Sequence, residues 1–261
     1  MRSHAFLVSS IVGQREVMVD TYEGFAERYD WMKQENPVRQ EFFRQVFARH
    51  NVVMVLDCAC GTGQDLIMLH SMGFQAYGSD LSDAMLSQAR RNLAQAQADI
   101  PIQKVDFRDL TSHWEIQFDA VVCLTNSINE PLKDAETLRA LRSMKSVLRP
   151  GGILVFDQGQ SDVSMRNPPR FAPILNNRDS TRFFVIDYSG DIQTVHIFDF
   201  IHAQQANDFQ HVTVRIRIRL QDSWNHILGV AGFAEVQFFG DWDLTPYDKQ
   251  SSHKLIAVAK K

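Results

Sequence analysis

The stretch Val52-Val53-Met54-Val55-Leu56-Asp57-Cys58-Ala59-Cys60-Gly61-Thr62-Gly63-Gln64-Asp65 decides the fold. An apolar, β-branched run of strand length reaches an acid, Asp57, then small residues and two glycines; Leu66, Ile67, Met68 and Leu69 follow. Such a run predicts a parallel strand buried on both faces, a tight turn and the start of a helix. Gly61 and Gly63 permit backbone conformations that side chains exclude, and they let a ligand approach the main chain. In an open α/β sheet, ligands sit beyond the carboxyl ends of the strands, so this turn is the expected floor of a site.

What the turn lacks narrows the ligand. A dinucleotide fingerprint needs G-x-G-x-x-G, and its third glycine position holds Leu66. Asp65 sets a carboxylate where a pyrophosphate would use the positive end of the helix dipole. No Gly-Lys-Ser/Thr follows, so the Walker pattern is absent. An acid at the strand end, small residues, G-x-G and a second acid suit a ligand with a cationic end. The stretch resembles motif I of the class I S-adenosylmethionine-dependent methyltransferases, in the D-x-A-C-G-T-G form of glycine N-methyltransferase relatives. The resemblance runs over residues 20–261, with its specific motifs in 52–157. It implies that Asp57, Ala59, Gly61 and Gly63 hold S-adenosylmethionine, with S-adenosylhomocysteine as product.

Composition sets the frame. A chain of 261 residues that is 44% hydrophobic fits one domain with a sizeable insertion. A net charge of -4 gives no electrostatic reason to expect a nucleic-acid partner. The run Ala5–Val12 is broken by Ser9 and Ser10, so neither a signal peptide nor a membrane span is expected. Three cysteines, Cys58, Cys60 and Cys123, cannot all pair and read as reduced thiols of a cytoplasmic protein. No further cysteine pair or histidine cluster has zinc spacing, so no metal is expected.

Residues 14–32 read as helical, with Tyr22, Ala26 and Tyr29 near one face. Packing accounts for the aromatics; the resemblance adds that a Y-x3-A-x2-Y-D segment caps the cofactor pocket, which implies Tyr22 and Tyr29 there. A second helix, Pro37–His50, turns Phe42, Phe43, Val46 and Phe47 inward. Arg39 in its first turn matches the family arginine that meets the cofactor's carboxylate, with a solvated surface arginine as the alternative. Gln75–Asp80 is a short strand ending in an acid, at about the spacing from the glycine turn where a carboxylate meets ribose hydroxyls. Ser82 is an N-cap for a helix over Asp83–Ala96. The run D-L-S-x-x-M-L resembles motif II and implies Leu81 and Met85 beside the nucleotide.

Ile100–Val105 is the third strand, ending at Asp106-Phe107, a carboxylate and a ring suited to an adenine's amine and face. The fourth, Phe118–Leu124, opens onto Thr125-Asn126-Ser127-Ile128-Asn129-Glu130-Pro131. That run resembles motif IV, where acceptor meets sulfonium, and implies Leu124 and Asn126 at the cofactor. A helix over Asp134–Leu148, an R-P-G-G turn and a fifth strand, Ile153–Asp157, follow. Residues 158–220 break the alternation: a loop at Asn167–Arg170, then strands over Thr181–Tyr188, Ile192–His202 and Gln210–Leu220. Ser189-Gly190-Asp191 and Ala206-Asn207-Asp208 are the hairpin turns. In the last strand Val212, Val214, Ile216, Ile218 and Leu220 face one way. Arg215, Arg217 and Arg219 face the other, as a solvated row or a contact for an anionic substrate. A helix over Asp222–Val230 and strands over Phe233–Phe239 and Lys254–Ala259 close the chain, with Tyr247 in the last loop.

The resemblance implies an α/β, doubly wound, seven-stranded and mostly parallel Rossmann-like sheet in order 3-2-1-4-5-7-6, into which residues 159–220 read as an inserted antiparallel β lid. Its divisions are an N-terminal helical cap over 1–50, the cofactor domain over 51–158 and 221–261, and the lid over 159–220. The implied reaction is in-line methyl transfer to the N or O of a small molecule, driven by alignment and exclusion of water. Glycine N-methyltransferases carry an arginine two residues past the fifth-strand acid; Gly159 stands there, so glycine is disfavoured as acceptor. Tyr22, Asn126, Asn129 and Tyr247 are the expected acceptor contacts, with Tyr22 and Asn129 as catalytic candidates. Three alternatives remain: a nicotinamide oxidoreductase, an aminopropyltransferase using Asp157, Asp162 and Glu130, and a non-catalytic S-adenosylmethionine-binding module.

Overall fold

The computed structural model describes residues 20–32, 36–202 and 207–261. Residues 14–19 of the expected first helix and Ala206 of the second expected hairpin turn lie outside the described residues. The elements in chain order are α1 (Ala26–Tyr29), α2 (Pro37–Arg49), β1 (Met54–Asp57), α3 (Gln64–Ser71), β2 (Gln75–Asp80), α4 (Asp83–Gln95) and β3 (Ile102–Lys104). Then come β4 (Phe118–Cys123), α5 (Asp134–Ser146), β5 (Leu148–Gln158), β6 (Phe171–Asn176), β7 (Ser180–Ser189), β8 (Ile192–His202) and β9 (Asn207–Arg217). The chain ends with α6 (Gln221–Ala231), β10 (Glu235–Phe239) and β11 (Leu255–Lys260).

Seven strands form one sheet in the order β10-β11-β5-β4-β1-β2-β3. β1 to β5 run parallel, and β11 is antiparallel to both of its neighbours. Counted along the chain, the order is the expected 3-2-1-4-5-7-6. Val55, Leu56, Val121 and Val155 are fully buried because helices cover both faces. One face packs against α5 and α6 through Leu141, Met144, Trp224 and Leu228. The other packs against α2, α3 and α4 through Phe42, Phe43, Phe47, Leu66 and Leu86. The helices start where their capping residues stand. Asn36 accepts from the Arg39 N–H with Pro37 at the first helical position, and Ser82 accepts from the Met85 N–H.

A second sheet, β6-β7-β8-β9, is antiparallel. Gly190-Asp191 closes the β7–β8 hairpin, pairing Ser189 with Ile192. The fourth strand of this sheet, β6, was not expected: it is a mostly exposed edge strand interrupted by Pro173, which an edge tolerates. Along β9, Val212 and Ile216 are buried while His211, Thr213 and Arg215 are exposed.

Two expectations are corrected. The arginine row is not uniformly solvated. Arg217 bonds the Leu132 carbonyl at 3.1 Å and pairs with Asp191 at 2.7 Å. Arg219 is buried, bonds the Pro131 carbonyl at 3.2 Å and pairs with Asp134 at 3.1 Å. The strand ends at Arg217, so the period of two no longer assigns faces beyond it. The described part of the N-terminal segment is not a long helix either. Gly24 holds a left-handed conformation at φ +74°, and only the four-residue α1 follows. Among the described residues no helix is long and apolar enough to cross a membrane.

Candidate functional site

A cavity of about 450 Å³ opens at the carboxyl ends of β1, β2, β3 and β4. That volume lies within the roughly 300–1,000 Å³ typical of small-molecule sites. Its floor is the turn after β1, where the two glycines have different tasks. Gly61 has φ +52°, and a Cβ there would meet nothing within 4 Å, so its main chain stays open to a ligand. Gly63 has φ +79°, and a Cβ there would press on the Ala89 Cβ at 3.3 Å, so it lets α4 pack close. Asp57 is buried behind the floor, where it accepts from the Ala59 N–H at 3.2 Å. Ala59 and Gly61 line the cavity; Asp57 and Gly63 support it.

Asp80 lies beside that floor. It accepts from the Gly61 N–H at 2.8 Å and the Ser82 N–H at 2.9 Å, tying the turn after β1 to the turn after β2. Burial pushes its carboxyl up, against those two bonds. A carboxylate offers about four acceptor positions, so capacity remains for a ribose's hydroxyls. Leu81, Met85, Phe107 and Leu124 add apolar walls. Asp106 also lines the cavity, and it accepts from the Arg108 N–H at 2.8 Å and the Arg108 Nε at 2.9 Å. Burial works against its charge, but Arg108 outweighs burial and holds this carboxyl below the usual range. These groups fit an adenosine with a cationic sulfonium: carboxylates for the hydroxyls and the ring amine, apolar walls for the ring, and an open glycine beneath.

Four expected residues are not brought to the cavity. Arg39 Nη1 pairs with Asp65 at 2.8 Å, with its guanidinium 5.0 Å from the Trp242 ring, and it does not line the space. The Asp65 charge is therefore matched within the protein, which softens its expected repulsion of phosphate. Asn126 has φ +67° and accepts from the Gly159 N–H at 3.1 Å. Asn129 is fully buried and donates to Gln158 at 2.9 Å, and Gln158 also accepts from the Trp224 Nε1 at 2.8 Å. The Tyr247 hydroxyl donates to Asp162 at 2.7 Å. Each of these polar groups has found a partner inside the fold.

Tyr22 and Tyr29 do line the cavity, carried by residues 20–32, which cross it as a strap. Asp20 accepts from the Ser82 hydroxyl at 2.7 Å and the Ala84 N–H at 3.0 Å, at the start of α4. Asp30 accepts from Gln64 at 2.9 Å, from Asn92 at 2.7 Å and from the Thr62 hydroxyl. On the outer side Phe25 packs with Ile197 and Val212, and Arg28 pairs with Asp199 at 2.9 Å. The four-stranded sheet thus bears on the cavity through the strap; no β6–β9 residue lines it.

Sequence reasoning offered Glu130 only as an acid of the aminopropyltransferase alternative, and it did not single out Arg108, Asp20, Asp30 or Thr125. Glu130 opens into the cavity and is solvent-exposed there, while the protein packed around it, then the Asp80 charge, pushes its carboxyl up to about 7. The neighbouring Tyr22 hydroxyl opposes the shift, and burial with the Glu130 charge drives the Tyr22 phenol well above its ordinary value. Thr125 has φ +59°, an outlier for a β-branched residue, and its N–H donates to Asp157 at 2.8 Å. Strain of that kind collects at functional sites. The available sequence signal was one of position: every one of these residues except Asp20 and Asp30 follows the carboxyl end of a parallel strand.

A family profile described as a methyltransferase domain matches residues 55–152. Over 252 residues the chain is 30% identical to a provisionally named methyltransferase of Geobacillus sp. (strain WCH70), covering 92% of this chain and 100% of that one. It is 34% identical over 145 residues to a glycine/sarcosine N-methyltransferase of Aphanothece halophytica. That match covers 54% of each protein, so the chain spans about half the length of that relative. An S-adenosylmethionine-dependent methyltransferase from Clostridium acetobutylicum ATCC 824 shares the fold, with a TM-score of 0.79 at 18% identity over 92% of this chain and 98% of that one.

Proposed function

The chain belongs to the S-adenosylmethionine-dependent methyltransferases, and on that premise we propose that it transfers a methyl group to the nitrogen of a small-molecule amine. The observation that carries this reading is one cavity lined both by the adenosine-type groups, Asp80 and Asp106, and by the Tyr22–Glu130 pair. The name of the Aphanothece relative, an N-methyltransferase, points the same way. Gly159 separates the acceptor from glycine: a Cβ there would meet open space, and no arginine stands at that position to clamp a carboxylate. The aminopropyl alternative loses two of its three acids, because Asp157 accepts from the Thr125 N–H and Asp162 from Tyr247.

Bound S-adenosylmethionine supplies a methyl carbon on a sulfonium, whose bond to sulfur breaks with its electron pair staying on sulfur as the acceptor's lone pair forms the new bond. The protein supplies the rest. Asp80 holds the ribose hydroxyls, Asp106 and Phe107 take the adenine, and the open main chain at Gly61 receives the methionine end. The strap keeps water from the reacting atoms, and such exclusion with alignment is the main catalytic means available to methyl transfer. Tyr22 offers a hydroxyl and a ring face to the cationic centre. Incubation with methyl-labelled cofactor and a metabolite extract tests the reading: label should enter products that a cation exchanger retains. Label confined to ethers or esters would overturn it.

A further inference from the structure

Six carboxylates line the cavity: Asp20, Asp65, Asp80, Asp83, Asp106 and Glu130. Five are matched by cations or backbone N–H groups. Asp65 pairs with Arg39 at 2.8 Å, Asp83 with Lys104 at 2.5 Å, and Asp106 with Arg108 at 2.5 Å. Asp20 accepts from the Tyr22 and Ala84 N–H groups, and Asp80 from those of Gly61 and Ser82. Arg108 is shared between Asp106 and Glu136, the latter at 2.9 Å. Among the described residues Glu130 has neither an ion pair nor a backbone donor on its side chain; the neutral Tyr22 hydroxyl lies beside it on the cavity wall.

The main chain around Glu130 is held from both sides. Asn129 is fixed to Gln158 at 2.9 Å, Arg219 grips the Pro131 carbonyl at 3.2 Å, and Arg217 grips that of Leu132 at 3.1 Å. A carboxylate so placed, with no ion-pair partner of its own and on a loop held from both sides, suits a cation of fixed position. Asp80 and Asp106 on the same wall repel an anion.

We propose that Glu130 receives the ammonium group of the acceptor and takes from it the proton that masks the nitrogen lone pair, while Tyr22 orients the carboxylate. The N–H bond breaks with its electron pair remaining on nitrogen, and the proton settles on a Glu130 carboxylate oxygen, leaving to water with the product. This rests on the amine reading above and narrows it: the acceptor is a primary or secondary amine with no carboxylate beside the nitrogen. The groups facing Glu130 are Tyr22 and Tyr29 of the strap, Asp80 at the end of β2, and Asp106 and Arg108 after β3. A carboxyl that titrates near 7 suits a proton acceptor working near neutral pH.

The test uses the full chain, methyl-labelled S-adenosylmethionine and a metabolite extract whose products are sorted by ion exchange. In the wild type, label should enter cationic products, at a rate that rises with pH to a plateau above about 7. Glu130→Gln should lower transfer at pH 7 by at least about tenfold and remove the rising limb. Glu130→Asp should recover part of the rate. S-adenosylhomocysteine affinity, read by calorimetry, should stay within about threefold in Glu130→Gln. Difference infrared spectra of the ligand-free protein should show a carboxyl band titrating near 7 that Glu130→Gln removes. Unchanged transfer and pH profile in Glu130→Gln would overturn the assignment while leaving the amine reading intact. An equal loss of S-adenosylhomocysteine binding would overturn it by moving Glu130 to the cofactor. Label only in anionic or neutral products, or none in any product, would overturn the amine reading and the assignment with it.

Discussion

Asp80 joins two parts of the site, since its carboxylate ties two strand-end turns together beneath the cavity. Replacing it with alanine removes the acceptor for the Gly61 and Ser82 N–H groups and for a ligand's hydroxyls together. Asp80→Ala should therefore weaken S-adenosylhomocysteine by about 2 kcal/mol, on the order of thirtyfold; an unchanged dissociation constant by calorimetry would remove Asp80 from the site. Glu130 gives a second residue-scale prediction, in the ligand-free protein. Its folded carboxyl binds its proton more tightly than the unfolded one, up to about 7. Stability from this group is present below the ordinary carboxyl range and is lost as pH rises toward and through 7. Relative to wild type, Glu130→Gln should thus melt higher at pH 8 than at pH 4.5, and an equal difference at both would contradict the shift. The expected residues that the structure brings to the cavity, such as Gly61, Asp80 and Asp106, sit in short contiguous runs whose chemistry is local. Asn126, Asn129 and Tyr247 stand outside the cavity lining and bond Gly159, Gln158 and Asp162, which lie 29 to 85 positions away in the chain. No local pattern reveals such bonds.

Among the elements, the strap and the four-stranded sheet act together through one buried ion cluster. Arg182 of β7 and Asp199 of β8 are both fully buried and pair at 2.9 Å. Arg182 also bonds the Arg28 carbonyl at 3.1 Å, and its guanidinium lies 4.5 Å from the Phe25 ring. Removing one partner of a buried pair leaves a charge that the interior cannot solvate. Arg182→Ala should cost about 3 kcal/mol in urea unfolding and should speed amide exchange across residues 20–32, with β1 and β4 unaffected. Stability within error of wild type would show that the cluster does not hold the strap. The strap was legible as a capping segment but not as a bent one. Its turn depends on Gly24 and on the distant partners of Asp20 and Asp30, whereas helix periodicity registers only Tyr22, Ala26 and Tyr29. The edge strand β6 escaped notice because Pro173 and its exposed residues lack strand alternation.

At the scale of the whole molecule, the parallel α/β layout was legible because strand and helix patterns alternate from Val52 to Asp157, while the strand order came from the resemblance. The layout places the ends of β1, β2, β3 and β4 around one cavity, with the strap across it and the second sheet behind the strap. What fills that cavity is the claim on which the acceptor chemistry depends. The most direct measurement is titration calorimetry of the ligand-free protein with S-adenosylhomocysteine and, separately, with NAD. The structure predicts single-site micromolar binding of S-adenosylhomocysteine, weakened in Asp80→Ala, and no heat from NAD. Tight NAD binding with no response to S-adenosylhomocysteine would contradict it.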